Sequence, residues 1–258
     1  MEYAEIQGES VPKIGLGTWN MRGQECYRAT LSALELGYRH IDTAEMYENE
    51  SEVGRAIADS GVSRSELFLV TKVSASHLSQ SGVLQAAEGS LQRLNIDVID
   101  LYLVHWPSDR IPIEETMAGM NELVDSGKVR RIGVSNFSLR QLEQAEAASS
   151  ARIFTNQIEY FIGQPQEPML QYCQKNGVLL TAYSPLDRGR LSQNQALEAT
   201  ADAHGVTVAQ VALRWLIQQE NVVAIPKSTH PDRQRENLDV FGFELSSEQT
   251  AWLGSAYR

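Results

Sequence analysis

Leu67-Phe68-Leu69-Val70-Thr71-Lys72 is an almost unbroken apolar, strand-forming run that stops at a charge. A strand with one face in water alternates apolar and polar residues. A continuous run belongs to a strand buried on both faces, as in a parallel sheet covered by helices. The same kind of run recurs at residues 101–104, 178–182 and 222–225. The segments between them carry helical spacing. Tyr27, Leu31 and Leu34 share a face and Gly37 stops that helix; Leu84, Ala87, Leu91 and Leu94 do likewise, as do Val208, Val211, Ala212 and Trp215. Three helix starts pair a hydroxyl with a glutamine three residues on: Ser138 with Gln141, Thr207 with Gln210, and Ser246 with Gln249. Each pair can satisfy amides that a first helical turn leaves open.

Strands are expected near residues 13–17, 38–41, 67–71, 101–104, 130–134, 154–157, 178–182 and 222–225. Eight alternations of strand and helix predict an α/β fold, a (β/α)₈ TIM barrel. No Pro/Gly/Ser-rich linker divides the 258 residues, so residues 1–258 read as one domain. A doubly wound sheet is the runner-up. Its G-x-G-x-x-G fingerprint is missing, because Gly15-Leu16-Gly17-Thr18-Trp19-Asn20 has no third glycine.

Composition excludes several partners. Hydrophobic residues make up 42% and charged ones 21%, a globular balance. The net charge of −11 repels nucleic-acid phosphates and anionic membrane surfaces, leaving room for one local basic site that takes a small anion. The opening Met1-Glu2-Tyr3-Ala4-Glu5 lacks a secretory signal, and no apolar run approaches the ~18 residues of a membrane span. Cys26 and Cys173 stand far apart, which suits a reduced cytoplasm. His40, His77, His204 and His230 lack metal-ligand spacing, so no metal is expected.

Position along the chain marks the candidate site. Asp42 follows the second strand, Lys72 the third and His105 the fourth. Ser135-Asn136 follows the fifth, Gln157 ends the sixth, Tyr183-Ser184 follows the seventh and Lys227-Ser228 the eighth. In a barrel these carboxyl ends converge on the face whose loops build the active site. Other residues have plainer readings. Glu45, Glu48, Glu50 and Glu52 read as a solvated helix start, Met117 and Met120 as core filling, and Trp215 and Trp252 as helix packing.

Asp42, Tyr47, Lys72 and His105 together offer carbonyl reduction, which needs a hydride on carbon and a proton on oxygen. A phenol, with an unperturbed pKa of about 10, is a weak donor near neutrality. A neighbouring ammonium at Lys72 is expected to lower the Tyr47 pKa. Asp42 would hold that lysine charged, and His105 would orient the substrate oxygen.

At these residues the chain resembles the aldo-keto reductases over essentially its full length, most of all the short bacterial diketogluconate and methylglyoxal reductases. The resemblance rests on Gly15-Leu16-Gly17-Thr18-Trp19, Asp42-Thr43-Ala44-Glu45-Met46-Tyr47-Glu48-Asn49-Glu50, Thr71-Lys72, Val104-His105-Trp106-Pro107 and Ile132-Gly133-Val134-Ser135-Asn136-Phe137. It continues through Asn156-Gln157-Ile158-Glu159-Tyr160, Tyr183-Ser184-Pro185-Leu186 and Ile225-Pro226-Lys227-Ser228. It implies a barrel with a short N-terminal hairpin and extra C-terminal helices, acting as a cytoplasmic monomer that reduces small aldehydes, ketones and keto-sugars with NADPH. Tyr47 would be the general acid, tuned by Lys72 and Asp42, with His105 orienting the carbonyl. Ser135, Asn136 and Gln157 would bind the nicotinamide carboxamide and Tyr183 would stack on its ring. Thr18, Trp19 and Asp42 would border the cofactor, and Ser184 and Leu186 would line the pyrophosphate path. Lys227, Ser228, Thr229 and Arg233 would hold the 2′-phosphate end, with Glu236 and Asn237 near the adenine. Trp19 and Trp106 would wall the substrate.

Three departures from the family pattern are expected to touch the substrate pocket. Ser74 stands where an aromatic is common, Phe161-Ile162 where His-Pro is common, and the sequence stops at Tyr257-Arg258 without a C-terminal loop. Together they predict an open site of broad specificity. Two other functions remain open: a Schiff-base aldolase using Lys72, which the Asp42 carboxylate opposes, and a non-catalytic NADPH-binding sensor.

Overall fold

The computed structural model describes residues 1–164 and 166–256, with Ser192 and Gln193 described by their backbone; Tyr257 and Arg258 lie outside the described residues. The chain opens with an antiparallel hairpin of β1 (Tyr3–Ile6) and β2 (Glu9–Pro12). Eight strands follow: β3 (Leu16–Gly17), β4 (His40–Asp42), β5 (Phe68–Val73), β6 (Ile99–Val104), β7 (Val129–Ser135), β8 (Ile153–Glu159), β9 (Leu179–Tyr183) and β10 (Val222–Ala224). They pair in parallel in sequence order from β3 to β10. A parallel bridge between Ile14 and Ala224 closes the sheet on itself. Gly15 N donates to Ala224 O (2.9 Å), and Ala224 N to Lys13 O (2.9 Å). A side chain at Gly17 would put its Cβ 2.7 Å from the Ile225 carbonyl oxygen, so closure requires glycine there. The molecule is a (β/α)₈ barrel.

The covering helices are α1 (Gly23–Glu35), α2 (Glu50–Asp59), α3 (Gln80–Leu94), α4 (Ile113–Asp125), α5 (Leu139–Ala148), α6 (Glu167–Asn176), α7 (Gln195–His204), α8 (Val208–Ile217), α9 (Pro231–Leu238) and α10 (Ser247–Ala256). The capping boxes at Ser138 and Thr207 form, and Ser246 and Gln249 exchange the same pair of bonds. A further box, Ser63 with Glu66, sits just before β5.

Two cores result. Inside the barrel, Phe68, Val70, Leu101, Leu103, Phe154, Leu179 and Val223 pack against Ala4, Ile6 and Val11 of the hairpin, which plugs one end. The larger core lies between strands and helices and includes Met117, Met120 and Trp215. Trp252 departs from its expected packing role and is 47% exposed. Its neighbour Leu253 takes the buried position on α10, because successive helical residues point about 100° apart. Glu50 is likewise no solvated helix start. It is 1% exposed, accepting from Thr71 Oγ1 (2.6 Å) and Arg93 Nε (2.8 Å), and so ties α2 to β5 and α3.

The β7–β8 register carries one irregularity. Ile132 pairs with Ile153, but Val134 pairs with Asn156, so β8 holds one residue more than β7 over that interval. Such a bulge reverses the inward–outward alternation beyond it. Phe154 points into the barrel core, and Gln157, three residues on, also points inward.

Candidate active site

The carboxyl ends of the strands bring the predicted residues together. Asp42 ends β4, Lys72 lies within β5, His105 follows β6 and Ser135 ends β7. Tyr47 sits on a single 3₁₀ turn, Glu45–Tyr47, closed by Glu48 in the left-handed conformation (φ 54°). Glu45 anchors this turn, accepting from Ser74 N (2.9 Å) and meeting His77 Nδ1 (2.9 Å).

Lys72 is fully buried. Its Nζ donates to Asp42 Oδ1 (2.5 Å) and to the Thr43 carbonyl (2.8 Å). Gln157 Nε2 donates to the other Asp42 oxygen at 2.7 Å. The ammonium stands 5.1 Å from the centre of the Tyr47 ring, and the Tyr47 and His105 rings meet edge to face at 5.5 Å.

These contacts set the proton affinities. Burial alone would lower the Lys72 pKa, but the Asp42 charge and the Tyr47 hydroxyl outweigh it, and the net direction is upward. Lys72 is therefore held as an ammonium. Burial raises the Tyr47 pKa, and Lys72 pulls it back only in part. The expected lowering of this phenol is thus reversed: the ammonium acts in the expected direction, but desolvation is the larger effect. His105 is pushed down to about 3, first by burial and then by the Lys72 charge, so its imidazole is neutral at physiological pH. Its Nδ1 is buried without a partner.

A cavity of about 830 Å³ opens over this cluster, in the upper part of the ~300–1,000 Å³ range of small-molecule sites. Every residue named from the sequence for the site lines it except Thr18 and Lys72. Thr18 stands behind the wall, its N and Oγ1 both donating to the Asp42 carbonyl at 3.0 Å. Asn136, with φ 63°, donates to Ser135 Oγ and His105 O (3.0 Å each) and accepts from the Tyr183 hydroxyl (2.8 Å). Ser135 Oγ donates to Gln157 O (2.9 Å). Trp19 and Trp106 stand about half exposed.

Lys227, Ser228 and Thr229 follow β10, and Arg233 lies in the first turn of α9. Neither Lys227 nor Arg233 has a carboxylate within ion-pair distance among the described residues. Glu236, alongside, accepts from Thr207 Oγ1 (2.6 Å).

Two expectations about the pocket fail. Ser74 does not line the cavity and instead caps the short 3₁₀ turn Ala75–His77. Phe161 and Ile162 are buried in the outer core, away from it. Conversely, Met46 and Arg188 line the cavity and were missed. Two arginines just beyond Leu186 were the available signal for Arg188; Met46 had none beyond its neighbour Tyr47. Among the described residues no helix is long and apolar enough to cross a membrane, and no three His, Cys, Asp or Glu side chains assemble a metal site.

The sequence pattern of the Aldo/keto reductase family matches residues 13–258. The glyoxal reductase of Bacillus subtilis (strain 168) is 41% identical over 242 residues, covering 93% of this chain and 87% of that protein. The 2,5-diketo-D-gluconic acid reductase B of a Corynebacterium species is 41% identical over 244 residues, covering 94% of this chain and 88% of its own. Among solved structures, a thermostable aldo-keto reductase in complex with the inhibitor epalrestat superposes with a TM-score of 0.94 at 42% identity, covering 99% of this chain and 100% of that one.

Proposed function

The chain belongs to the aldo/keto reductase family of oxidoreductases, and on that premise we propose that it reduces small aldehydes and ketones to alcohols with NADPH, Tyr47 donating the proton. The observation that carries this reading is the assembly of Asp42, Tyr47 and His105 at the floor of the cavity with Lys72 buried directly behind them.

The cavity fits a dinucleotide phosphate. Among the described residues Lys227 and Arg233 have no carboxylate at ion-pair distance, which suits an anionic ligand, and Arg233 offers the planar donor set that matches phosphate. Asn136 and Gln157 place amides beside the reaction centre, and Tyr183 adds a ring. Bound there, NADPH would supply a hydride to the carbonyl carbon.

The protein's own part is the proton. The Tyr47 hydroxyl, kept protonated by burial, donates to the carbonyl oxygen as that oxygen gains negative charge, and a phenolate remains. Lys72 stabilises the phenolate, and Asp42 keeps Lys72 charged and in place. His105, neutral and close to Tyr47, hydrogen-bonds the same oxygen and fixes its direction. Water then reprotonates Tyr47. Trp19 and Trp106 offer half-exposed apolar walls, which favours small reactive carbonyls over large ligands needing full enclosure. Two relatives named for glyoxal and diketogluconic acid support that substrate range.

The aldolase alternative is disfavoured: Lys72 is fully buried, lines no part of the cavity and is held charged. The deciding experiment follows NADPH consumption with glyoxal, methylglyoxal, diketones and keto-sugar acids. Tyr47→Phe should lower kcat by at least the ~10²–10⁴-fold that general acid catalysis supplies, while NADPH binding by fluorescence titration persists. Near-native turnover in that variant would remove Tyr47 from its role.

A further inference from the structure

Glu45 is a charged side chain two residues before the proton donor, and the reduction mechanism gives it no task. The segment that carries Tyr47 is pinned at both ends by buried groups. Lys72 Nζ donates to the Thr43 carbonyl (2.8 Å), and Asn49 Nδ2 donates to the carbonyls of Thr18 and Met21 (3.0 Å each). Thr43 Oγ1 donates to Asn49 Oδ1 (2.6 Å) and joins the two ends. Between them runs the 3₁₀ turn Glu45–Tyr47, followed by Glu48 at φ 54°, a conformation uncommon outside glycine. Glu48 meets the exposed Arg22 at 3.5 Å, a kind of surface pair that contributes little. Besides Tyr47 itself, the residue that ties this turn firmly to a neighbouring segment is Glu45.

The Glu45 side chain is 16% exposed, and both its oxygens are used. Oε2 accepts from Ser74 N (2.9 Å), and Oε1 accepts from His77 Nδ1 (2.9 Å), since a carboxylate has no proton to give. Both donors come from one short turn, Ala75–His77 with Ser74 as its cap: His77 N donates to Ser74 O (2.9 Å) and Ser76 N to Ser74 Oγ (3.4 Å). Glu45 and Tyr47 lie two residues apart on one side of this bridge. On the other side, Ser74 follows the end of β5 and Lys72 lies two residues back within it. The Glu45–Ser74 bond therefore spans the same two segments as the contact between the Tyr47 ring and the Lys72 ammonium, 5.1 Å apart.

We propose that Glu45 is a positioning residue: held by Ser74 and His77, it fixes the Tyr47 turn on β5 and so sets both the distance from phenol to ammonium and the line along which the phenol meets the carbonyl oxygen. The inference rests on the reductase reading above and on Tyr47 as its acid. Hydrogen bonds to a carboxylate are about twice as strong as neutral ones, so this bridge resists displacement of the turn. A reacting group displaced by about 1 Å loses on the order of 10²-fold in rate.

The test uses the full chain with NADPH and methylglyoxal or glyoxal. It measures kcat per bound NADPH, NADPH affinity by fluorescence titration, and the solvent deuterium isotope effect on kcat. Glu45→Ala should lower kcat about 10–100-fold with NADPH affinity unchanged. Its isotope effect should rise, because proton transfer from a misplaced phenol limits the rate more. Glu45→Gln keeps an oxygen for Ser74 N and should recover most of the rate. His77→Ala should lose about 2–5-fold, and His77→Asn, whose amide stands in for Nδ1, should recover it. If Glu45→Ala does not bind NADPH, the two His77 variants, altered at a half-exposed side chain, decide by the same readouts. Native kcat in Glu45→Ala, a lower kcat with an unchanged isotope effect, or a loss in His77→Ala that His77→Asn does not recover would each overturn the inference. Turnover of neither aldehyde by the native chain would overturn the reductase reading, and this inference with it.

Discussion

Replacing Lys72 by methionine separates what the buried pair does for stability from what it does for chemistry. Lys72 and Asp42 are both buried, and Lys72 Nζ supplies Asp42 Oδ1 with a hydrogen bond of 2.5 Å. Lys72→Met leaves the Asp42 carboxylate with only its Gln157 bond, at 2.7 Å. Removing one partner of such a pair costs about 3–5 kcal/mol. For a chain of this size each kcal/mol shifts Tm by ~2–4 °C, so Tm should fall by roughly 6–20 °C. Asp42→Asn combined with Lys72→Met removes the stranded charge, leaving mainly the Thr43 carbonyl without its donor, a loss of about 1–3 kcal/mol. The double variant should therefore be more stable than the single one. Activity should not follow: both variants lack the cation that stabilises the Tyr47 phenolate, and kcat should fall at least ~10²-fold in each. Thermal unfolding and steady-state turnover on the same preparations give both readouts. Native stability in Lys72→Met, or native turnover in the double variant, would refute the reasoning.

Arg233→Ala should raise KM for NADPH about 10-fold or more and leave NADH nearly unchanged, since only NADPH carries the 2′-phosphate; equal losses for both cofactors in initial-rate measurements would show that Arg233 does not read that phosphate. Stability should also depend on acid through His105. Its folded pKa, about 3, lies below the unfolded value near 6.5, so the unfolded state binds more protons between them and stability falls as pH drops below about 6.5. At pH 5 the loss from this group is at most about 2 kcal/mol, and buried His40, whose pKa is also lowered, acts in the same direction. Urea unfolding at pH 7.5 and pH 5 should show a smaller pH effect in His105→Gln; an identical pH effect in that variant would exclude His105.

The barrel was legible because its signals are local. Continuous apolar runs such as residues 67–71 announce strands buried on both faces, and hydroxyl–glutamine pairs mark where helices begin. The polar residue closing each run was equally plain, and the barrel brings the carboxyl ends together wherever the loops lead. Arg188 was passed over because the two arginines beyond Leu186 carry no periodicity; only the approach of Arg188 to Trp19 singles it out. Ser74 and Phe161-Ile162 misled for the converse reason, since a departure from a family pattern does not say which way a side chain points.

By itself, then, the sequence determined the eight-fold alternation of strand and helix, the order of the strands and the identities of the polar groups at their ends. The tertiary structure alone decided which of those groups face the cavity and how they hold protons. The extra residue in β8 turns Gln157 inward onto Asp42, because one inserted residue flips a period of two. Lys72 and Thr18 stand behind the wall rather than on it. The Tyr47 phenol lies above its ordinary pKa despite a neighbouring ammonium, because desolvation depends on everything packed around the group, and a linear sequence does not contain that sum.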